Sequence, residues 1–219
     1  MISELADSFM PSPFYNLRGS TVIDTITPHV MAQPWTAETC GQVFQRPGKN
    51  ASANYGIGVD GKIICYVDED HRAWTSSDRP NDSRAITIEC SSDNTTPYKF
   101  NDKVLESLVA LMTDICQRYP TIGRLKWAND PTAIGRPDIT NITLHRWFNK
   151  KKSCPGDYMI NMMPLIVNMV NDRLDGADSN DQDTIYRVQV GAFKNLDNAK
   201  RFRDDMIAKG YECFITGGK

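Results

Sequence analysis

Tyr55-Gly56-Ile57-Gly58-Val59-Asp60-Gly61-Lys62-Ile63-Ile64-Cys65-Tyr66-Val67 sets two apolar runs around an Asp-Gly dipeptide. That dipeptide is a strong hairpin signal, because a two-residue type I′ turn needs positive φ at both central positions. The stretch therefore predicts an antiparallel strand pair with Asp60-Gly61 at its tip. Outward from it lie two more short β-branched runs bounded by polar clusters, residues 21–27 and Arg84-Ala85-Ile86-Thr87-Ile88-Glu89-Cys90, and both read as strands.

Helical periodicity separates these runs. Residues 36–45 form a short helix with Thr36 as N-cap, and residues 101–119 put Val104, Leu105, Leu108, Leu111, Met112, Ile115 and Cys116 on one face before Pro120 stops them. Residues 157–174 repeat Ile160, Met163, Ile166, Val167, Val170 and Leu174, with Asp157 as the expected N-cap. Pro164 is expected to kink this helix or mark a late start. Strands and helices mixed in this order predict an α/β domain over residues 1–174, a central mixed β-sheet flanked by helices.

Residues 175–183 contain four Asp and no apolar anchor, the composition of a linker. Beyond it, Thr184–Val190 alternates as a strand, residues 197–209 carry Ala199, Phe202, Met206 and Ile207 on one helical face, and Tyr211–Ile215 reads as a second strand. A β-α-β unit this short hardly buries a sheet face alone.

The 219-residue chain has a net charge of −2, which argues against nucleic acid as its main partner. No apolar run reaches membrane-spanning length, so no membrane insertion is expected. Met1-Ile2-Ser3-Glu4-Leu5-Ala6-Asp7 has neither a basic nor an apolar signal region, so the expectation is synthesis in the cytoplasm without a signal peptide. The six cysteines are scattered without a CxxC pair and read as reduced, with Cys65 and Cys116 in the core.

The chain has only three histidines. His29 and His145 each follow a β-branched run, and Cys154 sits in Ser153-Cys154-Pro155-Gly156, a turn that opens a helix. Two imidazoles and a thiolate leave the fourth position of a tetrahedral zinc free for water, the layout of a catalytic site. His71, in Asp68-Glu69-Asp70-His71-Arg72, reads as a polar loop residue and not a ligand. Glu89 ends an apolar strand, where a carboxylate suits a polar pocket, although a strand end emerging into solvent is the alternative. Lys152 lies two residues before Cys154 and can place an ammonium beside a developing oxyanion. Lys150-Lys151-Lys152 is also the kind of charge run that forms a solvated face.

Residues roughly 20–174 resemble the zinc-dependent N-acetylmuramoyl-L-alanine amidase type 2 family, which includes peptidoglycan recognition proteins and many phage endolysins. The resemblance rests on Ile26-Thr27-Pro28-His29, Ser52-Ala53-Asn54-Tyr55-Gly56-Ile57 with Asp60-Gly61-Lys62-Ile63, and Arg72-Ala73-Trp74. It continues through Asn81 to Glu89 and from Leu144-His145-Arg146-Trp147 to Lys152-Ser153-Cys154-Pro155-Gly156. It implies Zn2+ bound by His29, His145 and Cys154, Glu89 as catalytic glutamate, and Lys152 as the stabiliser of the tetrahedral intermediate. It also implies peptidoglycan as partner, with Tyr55, Trp74 and Trp147 expected along its groove.

Two departures stand out. The His145–Cys154 spacing is one residue longer than in many relatives, which sets Lys151 in competition with Lys152, and Asn54 stands where many members have His. The tail is similar to a sporulation-related repeat (SPOR) domain through Tyr186-Arg187-Val188-Gln189-Val190-Gly191-Ala192-Phe193, Asn198-Ala199 and Lys209-Gly210-Tyr211. Residues 184–219 match only its first half, and such domains bind glycan strands stripped of stem peptides. The resemblance implies a phage or prophage endolysin that reaches the wall through a permeabilised membrane. Its alternatives are a bacterial autolysin, a muropeptide-recycling amidase and a non-catalytic peptidoglycan-binding module.

Overall fold

A computed structural model describes residues 1–176 and 191–210. The chain divides into two units, Met1–Ser179 and Asn180–Lys219. In the first, β1 (Ser8–Phe9), β2 (Tyr15–Leu17) and β3 (Thr25–Val30) lead to α1 (Ala37–Phe44). The hairpin β4 (Tyr55–Ile57) and β5 (Ile63–Cys65) follows, then β6 (His71–Ala73), α2 (Arg79–Arg84) and β7 (Ala85–Cys90). After these come α3 (Asp102–Arg118), the short α4 (His145–Phe148) and α5 (Gly156–Leu174). The second unit holds α6 (Leu196–Ala208), capped by Asn195 and followed by Gly210 at φ +89°. The strands expected at 184–190 and 211–215 lie outside the described residues, as does most of the 175–183 linker.

Five strands form one mixed sheet in the order β1-β5-β4-β7-β3, with β4/β5 antiparallel and the other pairings parallel. β2 and β6 form a separate antiparallel pair. One sheet face packs against α3 and α5 through Ile86, Ile88, Leu108, Met112, Ile115, Met163 and Ile166. The other packs against α1 through Ala37, Cys40, Phe44, Ile64 and Tyr66. The central mixed sheet flanked by helices is the arrangement that the alternation of strand and helix patterns predicts, and Cys65 and Cys116 are buried as expected.

Three local expectations are corrected. The first strand spans Thr25–Val30 and not 21–27, so His29 lies within it. Pro28 is tolerated there because β3 is an edge strand. The Ile26 N–H points outward to the Asn141 carbonyl, and the donor missing two residues later would point the same way. At the hairpin only Gly61 has positive φ (+87°), and the Gly61 N–H bonds to the Gly58 carbonyl at 2.9 Å. The connection is therefore a bulged turn and not type I′. In α5 the residue before the helix is Pro155, while Asp157 lies in the first turn and pairs with Arg146. The helix runs unbroken through Pro164, which lies on its exposed side, where water can take the carbonyl that the proline leaves free.

Two buried charges tie the sheet to its loops. The Arg18 guanidinium donates to the backbone carbonyls of Glu69, Asp82, Ser83 and Ala85, each at 2.7 Å. The Glu69 carboxylate is fully buried and accepts from Tyr55, Tyr119 and both terminal nitrogens of Arg118.

Gly56 on β4 lets Tyr66 lie flat across the sheet, with the Tyr66 hydroxyl donating to the Ala37 carbonyl at 2.6 Å. A Cβ at Gly56 would fall 2.1 Å from the Tyr66 Oη. Gly56→Ala is therefore expected to lower stability by about 1–3 kcal/mol, the usual cost of forcing a methyl into a packed core. Urea unfolding checks this, and an unchanged midpoint would refute the packing account.

Candidate metal centre and its groove

The parallel register of β3 and β7 pairs His29 with Glu89, so both side chains leave the sheet on one face. His145 opens α4, and Cys154 sits in the turn before α5. These separate segments converge. Cys154 Sγ lies 3.4 Å from His29 Nδ1, and the two imidazole centroids are 5.1 Å apart. Ligand atoms of His29, His145 and Cys154 all lie within 4.8 Å of one another. Glu89 Oε1 is 4.0 Å from His29 Nδ1.

A polar plate beneath the centre fixes the two histidine segments. Thr27 Oγ1 and Thr143 Oγ1 are 2.7 Å apart, each two residues before a histidine. Asn81 ties both, donating to Thr27 and accepting from Thr143 at 3.1 and 2.8 Å. The segments that carry the two histidines are thus tied by β-sheet register and by hydrogen bonds made beneath them.

The residues fit a metal ion. Buried polar atoms normally find partners, yet Glu89 Oε2, beside the candidate ligands, is buried with none. Two nitrogens and a sulfur that close together are the donor set of a borderline-soft divalent cation. Burial, then the neighbouring His145, hold His29 well below the usual imidazole range, and burial with Lys152 lowers His145 to about 4. Both rings therefore stay neutral, as ligation requires. Burial and the Glu89 charge push the Cys154 thiol up, while the Val30 N–H, Arg146 and Lys152 oppose them. A cation in the centre would reverse that balance.

The centre opens into a groove of about 470 Å³ lined by Glu89, His145, Lys152, Trp74, Ser77 and Lys49, among others. Lys152 is among the lining residues and Lys151 is not, so the extra residue before Cys154 leaves Lys152 facing the centre. Trp74 also lines the groove, its indole N–H bonded to Asn16 at 2.7 Å. Trp147 stacks on Trp127, centroids 5.7 Å apart and planes 6° off parallel, and is outside that lining. Tyr55 requires a correction as a groove residue. It is fully buried, its hydroxyl donates to Glu69 at 2.6 Å and accepts from the Ser3 N–H, and so it faces the core. His71 lies on β6, outside the ligand group.

Sequence reasoning missed Lys49, Arg72, Arg79 and Ser77 as groove residues. Lys49 and Ser77 lie in loops, Arg79 opens α2 and Arg72 sits on the three-residue β6, all places where no periodicity reports which way a side chain faces. Lys49 matters electrostatically. Burial raises the Glu89 carboxyl to about 7, and Lys49, then Lys152, oppose the rise.

An α/β domain that gathers two imidazoles, a thiol and a carboxylate presents a candidate site for a single metal ion. The family profile of the N-acetylmuramoyl-L-alanine amidases matches residues 18–157, and the chain belongs to that family. A SPOR domain profile matches residues 182–219. The chain is 38% identical over 78 residues to the 1,6-anhydro-N-acetylmuramyl-L-alanine amidase AmpD of Enterobacter cloacae. That match covers 32% of this chain and 40% of the relative, so the chain spans about two fifths of the relative it matches. Among solved structures, a selenomethionine derivative of AmpD shares the fold at TM-score 0.51 and 23% identity, over 71% of this chain and 89% of that one. A mutant endolysin from Bacillus subtilis does so at 0.52 and 15%, over 75% and 99%.

The raised Glu89 carboxyl makes a signed prediction for the metal-free protein. Its folded value near 7 exceeds the unfolded carboxylate value, so the folded state holds a proton that the unfolded chain releases, and stability is lost as pH rises between them. Glu89→Gln removes that loss. Urea unfolding after chelator treatment should show the variant gaining on wild type from pH 5 to pH 8, whereas a constant difference would contradict the burial of this carboxyl.

Proposed function

We propose that the protein is a zinc-dependent N-acetylmuramoyl-L-alanine amidase that cleaves the amide between the lactyl group of N-acetylmuramic acid and L-alanine in peptidoglycan. The observation that carries the reading is the meeting of His29, His145 and Cys154 with the Glu89 carboxyl at 4.0 Å from His29, beside a groove that His145 and Glu89 line. Family membership supports it. Bound by those three residues, zinc supplies a Lewis acid for the carbonyl and lowers the pKa of water toward neutrality.

The chain's own groups do the rest. Glu89, with a carboxyl raised to about 7, is poised to accept a proton from the attacking water at neutral pH and to deliver it to the departing amine nitrogen. Water oxygen bonds to the carbonyl carbon, the C–N bond breaks, and the products are a carboxylate and a free L-alanine amino terminus. Lys152 faces the same space and offsets negative charge growing on the carbonyl oxygen. Trp74 offers an apolar wall for the muramyl ring.

The SPOR match at 182–219 supports intact wall as the substrate; in this reading the protein is an endolysin made in the cytoplasm and released through a permeabilised membrane. A second reading, hydrolysis of soluble muropeptides, is favoured by the likeness to a relative named for 1,6-anhydro-N-acetylmuramyl-L-alanine amidase activity. Release of amino termini from intact sacculi and from soluble fragments separates them, and the endolysin reading fails if only the fragments are cleaved.

Glu89→Gln should retain zinc and lose about 10²–10⁴-fold in kcat, the range for removing a general base. Cys154→Ser should lose zinc as well as activity. Lys152→Ala should cut kcat, with Lys151→Ala near wild type. A Glu89→Gln enzyme with wild-type turnover would remove Glu89 from the chemistry.

A further inference from the structure

Ser77 is an unusual residue in an informative place. Its φ is +63°, in the left-handed region that non-glycine residues seldom occupy. The turn is forced from both sides. Buried Asp82 accepts from Thr75 N–H at 3.0 Å, Ser76 N–H at 3.0 Å and Ser76 Oγ at 2.5 Å. Asp78, the next residue on, caps α2 through the Asn81 N–H at 2.8 Å. Ser77 is held between these anchors, and its Oγ lies 3.2 Å from His145 Nε2. Asn81, which closes the turn, is the residue that ties Thr27 to Thr143 beneath the histidines.

We propose that Ser77 is a positioning residue for His145, its hydroxyl accepting the Nε2–H so that Nδ1 is the nitrogen offered to the metal. A neutral imidazole carries one N–H and one lone pair, so a partner on one nitrogen fixes the role of the other. The geometry of the neighbouring ligand agrees, because His29 also turns Nδ1 toward Cys154 Sγ at 3.4 Å. Without the hydroxyl, His145 loses both its tautomer bias and its ring orientation, and outer partners of this kind govern metal affinity by about 10- to 100-fold. The backbone strain has a use in this account. It aims a short side chain at a ring that a relaxed turn would leave without a partner. The inference rests on the zinc reading above.

The test measures zinc affinity of the full chain by competition with a chromophoric chelator, alongside cobalt(II) absorption spectra and thermal midpoints. Wild type, Ser77→Ala, Ser77→Gly and Cys154→Ser are compared. Glycine accepts positive φ freely and alanine does not, so the two variants share loss of the hydroxyl but differ in strain. The expected result is affinity reduced about 10- to 100-fold and equally in both, with a shifted cobalt spectrum. Wild-type affinity in both variants, or a loss confined to alanine, would overturn the assignment, the latter by locating the effect in the backbone. Failure of wild type to bind zinc better than Cys154→Ser would overturn the zinc reading and this assignment together.

Discussion

The parallel pairing of β3 with β7 is the constraint on which the site depends. It sets His29 beside Glu89, and because side chains alternate along a strand, a slip of one residue would send one of the two to the opposite face. The register is fixed at its start by Asp24 and Arg84. Their side chains form a bidentate pair, and the Asp24 N–H bonds to the Arg84 carbonyl at 3.1 Å. On the outer edge, the bond from Ile26 to Asn141 and the return bond from Thr143 lock the loop that delivers His145. The ligand geometry is thus a by-product of strand pairing.

Much of this was legible in the sequence, because strand pairs and long helices advertise themselves by period. The hairpin around Asp60-Gly61, the strand that carries Glu89 and the helix Asp102–Arg118 follow from spacing and residue type. His29, His145 and Cys154 stood out because histidines are scarce here. Tyr55 was misplaced for a related reason. Alternation separates the two faces of a strand but does not say which face looks into a groove, and its hydroxyl belongs to the Glu69 network. The expected strand 21–27 stops short of Pro28, whose missing donor is harmless only on an edge, and edges are set by topology. Lys49 and Ser77 lie in turns whose directions depend on Asp82 and on contacts distant in sequence, so no local pattern reveals them.

The charge balance of the groove follows the same division between local and distant. The sheet buries Glu89 and alone would keep it protonated at neutral pH, while Lys49 and Lys152 arrive from two unrelated loops to oppose that rise. A carboxyl left between these influences exchanges protons where a hydrolase works. The imidazoles face no such compromise, since burial and their neighbours act in one direction and keep both rings neutral.

Arg18 carries a consequence of a different kind. Its guanidinium meets four carbonyl oxygens at 2.7 Å and a fifth oxygen, Asn54 Oδ1, at 3.4 Å, all neutral dipoles and no carboxylate. This is the coordination pattern of a hard cation, with chain segments as ligands and a planar organic ion at the centre. Because the ion is covalently part of the chain, it has no dissociation constant and cannot be removed by a chelator. A metal ion held by His29, His145 and Cys154 would be exchangeable; the Arg18 cation is permanent.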